Sequence, residues 1–376
     1  MAIDTRAPAA ILRQLAACPA APFHEERVAR RIAAYCREFQ LPCQADPYGN
    51  LVVWHRGASA RSEPGGQPRR PIAFSAHMDH PGIDVISVSP LRGRLLGGTP
   101  RRYFDRPVPI RFVHGDKETE GQVTGWTDIG GQAFLRLEAA GPVDEGCFAV
   151  YEVGPFRSAE GQLNLRAADD LAGCAAILSA LTRCAARELP VDVAGVFTRC
   201  EEVGLVGATL VARQGLLPPE TLVVSLEASR ALPGAEIGQG PVIRVGDATM
   251  AFHPLGETLL RRARERLLER DSSRRVQRQL MSGGTCEAVA YALAGYVTTG
   301  VAFPLGNYHN AGPELTVAAE YIHRDDLETG TELLVAAVEC LANGVSQEPV
   351  AATLAQRADQ GAARLQETAS SWQLDE

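Results

Sequence analysis

Four apolar runs of strand length constrain this chain more than any other feature: PIAFSA (71–76), VDVAGVFT (191–198), TLVVSL (221–226) and YVTTGVAF (296–303). A strand that is apolar on both sides needs cover on both faces, which is the environment of a parallel sheet flanked by helices. Helical patterns fall between the runs, at 170–186, 204–214 and 286–294, and another follows at 326–342. The alternation predicts an α/β fold, with a mostly parallel sheet covered by helices. With 376 residues, 45% of them apolar, the chain can bury a core of that size. Two amphipathic helices are expected ahead of the first run, at 8–17 and 24–39. The second turns Val28, Ile32, Ala33, Tyr35 and Cys36 to one side. A turn at Pro47-Tyr48-Gly49-Asn50 then leads into a strand at 51–55.

The stretch from 83 to 156 reads differently. It breaks into short pieces such as DVISVSP, PVPIRFVHG, AFLRLEA and CFAVYEV, with turn residues recurring at short spacing. That pattern predicts a small all-β barrel or sandwich inserted into the α/β body. The expected organisation is an α/β domain made of 1–82 and 157–345, an inserted β-barrel-like domain at 83–156, and a tail at 346–376 that is a surface helix or disordered.

Composition excludes some functions. A net charge of -8 argues against nucleic-acid binding, which needs clustered cations. The Arg-dense stretch from Arg61 to Arg70 carries Gly and Pro but no aromatics, and reads as a solvated loop. No run is long and apolar enough to span a bilayer. Charges break the apolar N-terminus, which makes it a poor signal peptide. Nine cysteines without C-x-x-C pairs, several inside apolar segments, fit reduced thiols and a cytoplasmic protein.

The chemistry lies just past the apolar runs. His77 and Asp79 follow the first, Glu201 and Glu202 the second, Glu227 the third and His309 the fourth; Asp169 and Asp170 open the helix at 170. In open α/β sheets ligands bind outside the carboxyl ends of the strands, so these groups are expected at one edge. Taken singly, an Asp-Asp before a helix is an ordinary cap and a Glu-Glu at a helix start offsets the helix dipole. Their coincidence at one edge argues instead for a shared site. Two imidazoles and several carboxylates suit zinc, with cobalt or manganese as substitutes. A carboxylate can bridge two metals, and an unligated one can take a proton from a metal-bound water.

The residues also resemble a known family, the deblocking or glutamyl aminopeptidases, also called tetrahedral or cellulase-M-like aminopeptidases. The resemblance runs in order from about residue 10 to 342, through DPYGNLVV (46–53), AHMDHPG (76–82), ADDLAG (168–173), CEEVGLVGA (200–208), GQGPVIR (238–244), SGGTCEA (282–288) and FPLGNYHN (303–310). It implies a di-zinc exopeptidase acting on short peptides, its catalytic α/β domain interrupted by a small β-domain. It implies that His77, Asp169 and Glu227 hold one zinc and Asp169, Glu202 and His309 the other. A hydroxide bridging the two would attack the peptide carbonyl, with Glu201 as general base and Asp79 fixing the ring of His77. It implies a homo-oligomer, up to a dodecameric shell. His309, five residues after Pro304, keeps the family spacing; His323 in EYIHRDD stands too close to the final helix.

The chain departs from the family pattern at three places. Glu227 stands where the family has Asp, His80-Pro81-Gly82 where it has an acid followed by Val or Ile and Gly, and Cys286 where it has Asp. The last two lie outside the metal positions and bear on substrate preference and assembly. Two other readings remain open: a di-zinc deacylase cleaving a non-peptide amide, and a scaffold that keeps the fold without turnover. A glycosidase is disfavoured, because its paired carboxylates work without metal.

Overall fold

The computed structural model describes residues 6–57, 70–343 and 348–369. Its main sheet has eight strands. The four apolar runs form Ile72–His77, Val193–Thr198, Leu222–Arg230 and Val297–Leu305, and these are the four parallel strands at its centre. Outside them Leu51–His55 pairs antiparallel with Val193–Thr198, and Val242–Asp247 pairs antiparallel with Val297–Leu305. Cys43–Ala45 and Gln277–Met281 close the two edges. The register sets Thr198 beside His77 and Glu227 beside Ala302, so the carboxyl ends of the central strands come out together.

Side chains alternate between two cores. Ile72, Phe74, Val193, Phe197, Leu222 and Val224 face one layer of helices, among them Pro8–Leu15, Glu26–Glu38, Ala168–Ala186, Pro254–Arg270 and Arg324–Ala342. Ala73, Ala194, Val196 and Val223 face the other layer, formed by Val206–Gln214 and Ala288–Leu293. Every residue from Ala168 to Thr182 is buried, which explains the apolar sequence LAGCAAILSAL: a helix enclosed on all sides has no polar face. It lies directly on the sheet. A Cβ at Gly195 would stand 2.6 Å from Ile177, so the absence of a side chain there sets how closely the helix approaches.

Residues 82–151 supply a closed antiparallel barrel, in the order Gly82–Val88, Leu91–Leu96, Gln132–Ala139, Lys117–Ile129, Val108–His114 and Phe148–Tyr151. It has its own core, including Ile83, Phe104, Ile110, Leu135 and Tyr151. Closure leaves no unpaired strand edge, so short strands suffice. A small third sheet joins Arg157–Ala159, Gln162–Leu165 and Glu320–His323.

The tail contains a helix, Glu348–Ala369, exposed from Ala352 onward except at Gly361. Of the arginine-rich stretch, all but Arg70 lies outside the described residues. Among the described residues no helix is long and apolar enough to cross a membrane.

Candidate metal centre

Each candidate side chain is placed by the end of an element. His77 is the last residue of its strand, Glu227 sits within Leu222–Arg230, and Asp169 opens the long buried helix with non-helical backbone angles. The Asp169–Asp170 peptide bond is cis. Glu201 and Glu202 occupy the turn between Val193–Thr198 and Val206–Gln214, where Cys200 and Leu205 are left-handed. His309 follows Val297–Leu305 and is itself left-handed, with φ 55°.

The two imidazoles share one carboxylate. Asp169 presents Oδ1 to His77 Nε2 at 3.2 Å and Oδ2 to His309 Nε2 at 3.7 Å. Glu227 Oε1 stands 3.4 Å from His77 Nε2, and Glu202 Oε2 stands 3.3 Å from His309 Nε2. Glu201 Oε2 is more distant, 3.9 Å from His77 Nε2. Ligand atoms of His77, Asp169 and Glu202 all lie within 4.8 Å of one another, so Glu202 is close to both halves; its 3.3 Å contact places it with His309.

Asp79 supports this arrangement twice. Its backbone carbonyl accepts from His77 Nδ1 at 3.1 Å, whereas its carboxylate is 3.6 Å from that nitrogen. The carboxylate instead accepts the backbone N–H groups of Glu201 (3.0 Å) and Glu202 (3.1 Å), fixing the turn that carries both acids. With Nδ1–H donating to a carbonyl, the Nε2 lone pair of His77 faces carboxylates. That arrangement is favourable with a cation between them or with a proton on Nε2.

The electrostatics point the same way. His77, Asp169, Asp170 and Glu227 are buried, and the side chains of Glu201 and Glu202 are only 11% and 4% exposed. Burial first, and then the charge of Glu227, pushes Asp169 up to about 7. Burial likewise drives Asp170, Glu201 and Glu202 well above the usual carboxylate range, with neighbouring acids adding to it. Burial alone would lower His77, but Glu201, Asp169, Asp79 and Glu227 outweigh it and hold the imidazole well above its ordinary value. Glu202 Oε1 and Glu227 Oε2 are buried with no hydrogen-bond partner. A donor set this acidic, with unpartnered oxygens turned inward, fits divalent cations.

Other residues around the site act through contacts that the sequence pattern does not display. Glu320 is fully buried; its Oε2 accepts from the Asp169 N–H at 3.0 Å and its Oε1 from the His309 N–H at 2.8 Å. Its sequence signal is an acid at an inward position of the short strand EYIH. Glu287, behind the sheet, accepts from Ser75 Oγ at 2.8 Å and from Thr198 Oγ1. His80 links two loops, with Nδ1 2.8 Å from the Asp169 carbonyl and Nε2 2.8 Å from Asn310 Oδ1. His323 lies apart as the N-cap of Arg324–Ala342, its Nδ1 accepting from the Asp325 N–H. Cys286 is buried, and its N–H donates to Asp247 Oδ2 at 3.0 Å.

Beside Glu227 opens a cleft lined by Arg230, Arg244, Met281, Gly283, Gly284, Thr285 and Tyr308. Arg244 is 2% exposed, and its Nε has no partner. Arg230 lies over the Tyr308 ring, 5.2 Å from its centroid.

The fold is shared with solved aminopeptidase structures. The TET1 peptidase of Pyrococcus horikoshii, described as assembling into a tetrahedron or a large octahedral shell, superposes with TM-score 0.70 at 23% identity, over 87% of this chain and 98% of that one. An aminopeptidase of Desulfurococcus kamchatkensis gives TM-score 0.69 at 22% identity, over 90% of this chain and 98% of that one. A protein of Acetivibrio thermocellus, provisionally named an aminopeptidase, is 24% identical over 84% of this chain and 93% of its own length. The chain belongs to the M42 glutamyl aminopeptidase family, whose model matches residues 113–333. It is therefore a peptidase of the metal-dependent aminopeptidase kind.

Proposed function

We propose that this chain removes N-terminal residues from short peptides with two divalent metal ions, zinc foremost and cobalt or manganese as substitutes. The observation that carries the reading is Asp169, which offers one oxygen toward each of two imidazoles. His77, Asp169 and Glu227 would hold one ion, and Asp169, Glu202 and His309 the other. Ions there supply polarisation of the scissile carbonyl and acidification of the attacking water.

The remaining work falls to the protein. Glu201 takes the proton of the water that attacks the first peptide carbonyl. It then gives that proton to the departing amine nitrogen as the C–N bond breaks. Its place suits the task, because it is the acid set back from both imidazoles and its backbone N–H is fixed by Asp79. Burial raises its proton affinity, which suits a group that takes a proton up and passes it on.

The cleft beside Glu227 is read as the pocket for the first residue's side chain, and two arginines favour an acidic one. Arg244→Leu should lower kcat/KM for a glutamyl reporter about 10- to 100-fold relative to a leucyl reporter, since a hydrogen bond to a charged group contributes about 1.5–3 kcal/mol. An unchanged ratio would remove the pocket from the reading.

The domain division proposed is a catalytic body of 1–82 and 157–345, an inserted barrel domain of 83–156 and a tail of 346–376. Ile86 and Ile129 are exposed on the barrel, which supports its use as a contact between copies in a homo-oligomer, up to a dodecameric shell. Nine free cysteines support a cytoplasmic setting.

The test is elemental analysis together with free-amine and N-acylated aminoacyl reporters, before and after chelation. About two metals per chain and chelator-sensitive release from the free-amine reporters are expected. Cleavage of the acylated reporters alone would replace the aminopeptidase with a deacylase.

A further inference from the structure

We infer that Glu320 is a positioning residue whose single carboxylate holds the Asp169 and His309 segments at the separation two metal ions require. The inference rests on the proposed centre. Glu320 begins the strand Glu320–His323, outside the segments that deliver the proposed ligands. One of its oxygens accepts from the Asp169 N–H at 3.0 Å and the other from the His309 N–H at 2.8 Å. Asp169 opens a helix and His309 follows a strand, so the tie between them is made by side chains: Glu320 on the two backbone N–H groups, and His80 between the Asp169 carbonyl and Asn310 Oδ1.

The backbone at His309 is a second, independent observation. His309 has φ 55° and ψ 38°, between Asn307 at φ 54° and Asn310 at φ 58°. Asparagine and histidine enter the left-handed region more readily than most residues, yet it still costs free energy that the surroundings must offset. The Glu320 oxygen on the His309 N–H is one such offset. Asn310 provides the neighbouring one, donating from Nδ2 to the carbonyls of Arg166 (2.9 Å) and Ala318 (3.0 Å). The same carboxylate therefore fixes a disfavoured backbone and aims the imidazole toward Asp169 and Glu202.

Glu320→Gln tests this. The amide keeps one acceptor and turns a donor toward the other backbone N–H, which releases one of the two segments. Zinc affinity should fall about 10- to 100-fold, the usual cost of losing a group that orients metal ligands. The absorption spectrum of the cobalt-loaded protein should shift. In turnover, kcat should fall with KM near the parent value, because Glu320 is buried and is not one of the residues that line the cleft. Glu320→Asp keeps both acceptors but is one methylene short, and should show a smaller loss in the same direction; it decides the matter should the Gln variant not fold. Parent zinc affinity and a parent cobalt spectrum in a folded Gln or Asp variant would overturn the inference alone. A parent chain that takes up no metal would overturn the proposed function and this inference with it.

Discussion

Glu201→Gln is expected to lower kcat by about 10²- to 10⁴-fold, the range of general acid–base catalysis, while metal uptake stays at the parent level. The two halves of that result have separate causes. A glutamine amide cannot take a proton from water at neutral pH, so the step assigned to Glu201 stops. The proposed ligands are untouched, because Glu201 stands 3.9 Å from the nearest imidazole nitrogen while Glu202 and Asp169 make the closer approaches. The substitution is nearly isosteric, and the Asp79 carboxylate still receives the backbone N–H of residue 201. KM should therefore move little. Glu202→Gln is the contrasting case, expected to lose metal as well as activity, since its carboxylate lies 3.3 Å from His309. Steady-state kinetics with metal analysis on both proteins separates the roles. A Glu201→Gln protein that still turns over, or that has lost its metal, removes the general-base assignment.

The parts of this molecule legible in its sequence are those where one local pattern has one structural meaning. PIAFSA and TLVVSL announce a doubly covered sheet because both their faces are buried, and the strands at Ile72–His77 and Leu222–Arg230 meet that condition. The segment from 242 to 281 carries a weaker signal. Gln277–Met281 is an edge strand whose side chains alternate between half-buried and exposed until Met281, so its apolar signal is thin. The barrel shows as short strands and turns, but its closure depends on the pairing of Gly82–Val88 with Phe148–Tyr151, which no local pattern encodes. The site divides in the same way. Acids and imidazoles at strand ends are visible because the sheet gathers them at one edge. Glu320 and the Asp79 carboxylate act on backbone N–H groups brought near by tertiary structure, so their partners are not written beside them.

Removing metal should make the protein's stability fall as pH rises from about 6.5 to 8, and zinc should restore more of it at pH 8 than at pH 6. Stability changes with pH according to which state binds more protons. Asp169, pushed from 3.8 to about 7 by burial and Glu227, keeps its proton in the folded chain at pH values where the unfolded chain has released it. Its contribution is therefore present at low pH and lost as pH rises through about 7. Asp170, Glu201 and Glu202 are displaced in the same direction by burial and carry the same sign. His77, held above its ordinary value of 6.5, adds to the loss at higher pH. Three groups work the other way, and one of them, Glu227, in spite of burial held below its ordinary value by His77, matters only near and below pH 4.5. Burial pushes His309 down to about 3 and His80 to about 4, so between those values and 6.5 the unfolded chain binds the extra protons. Both are neutral in either state above 6.5, which leaves the window above that pH to the carboxylates and His77. A divalent cation replaces those protons and releases them on binding, so its affinity grows as they leave. At a free zinc concentration about 1,000-fold above Kd, each site contributes about 4 kcal/mol, enough to move an unfolding temperature by several degrees. Thermal unfolding of chelated and zinc-loaded protein at pH 6 and pH 8 measures both effects. A metal-free protein equally stable at the two pH values, or a zinc gain that does not grow between them, would mean that the carboxylates around Asp169 do not carry the buried charge on which this centre is built.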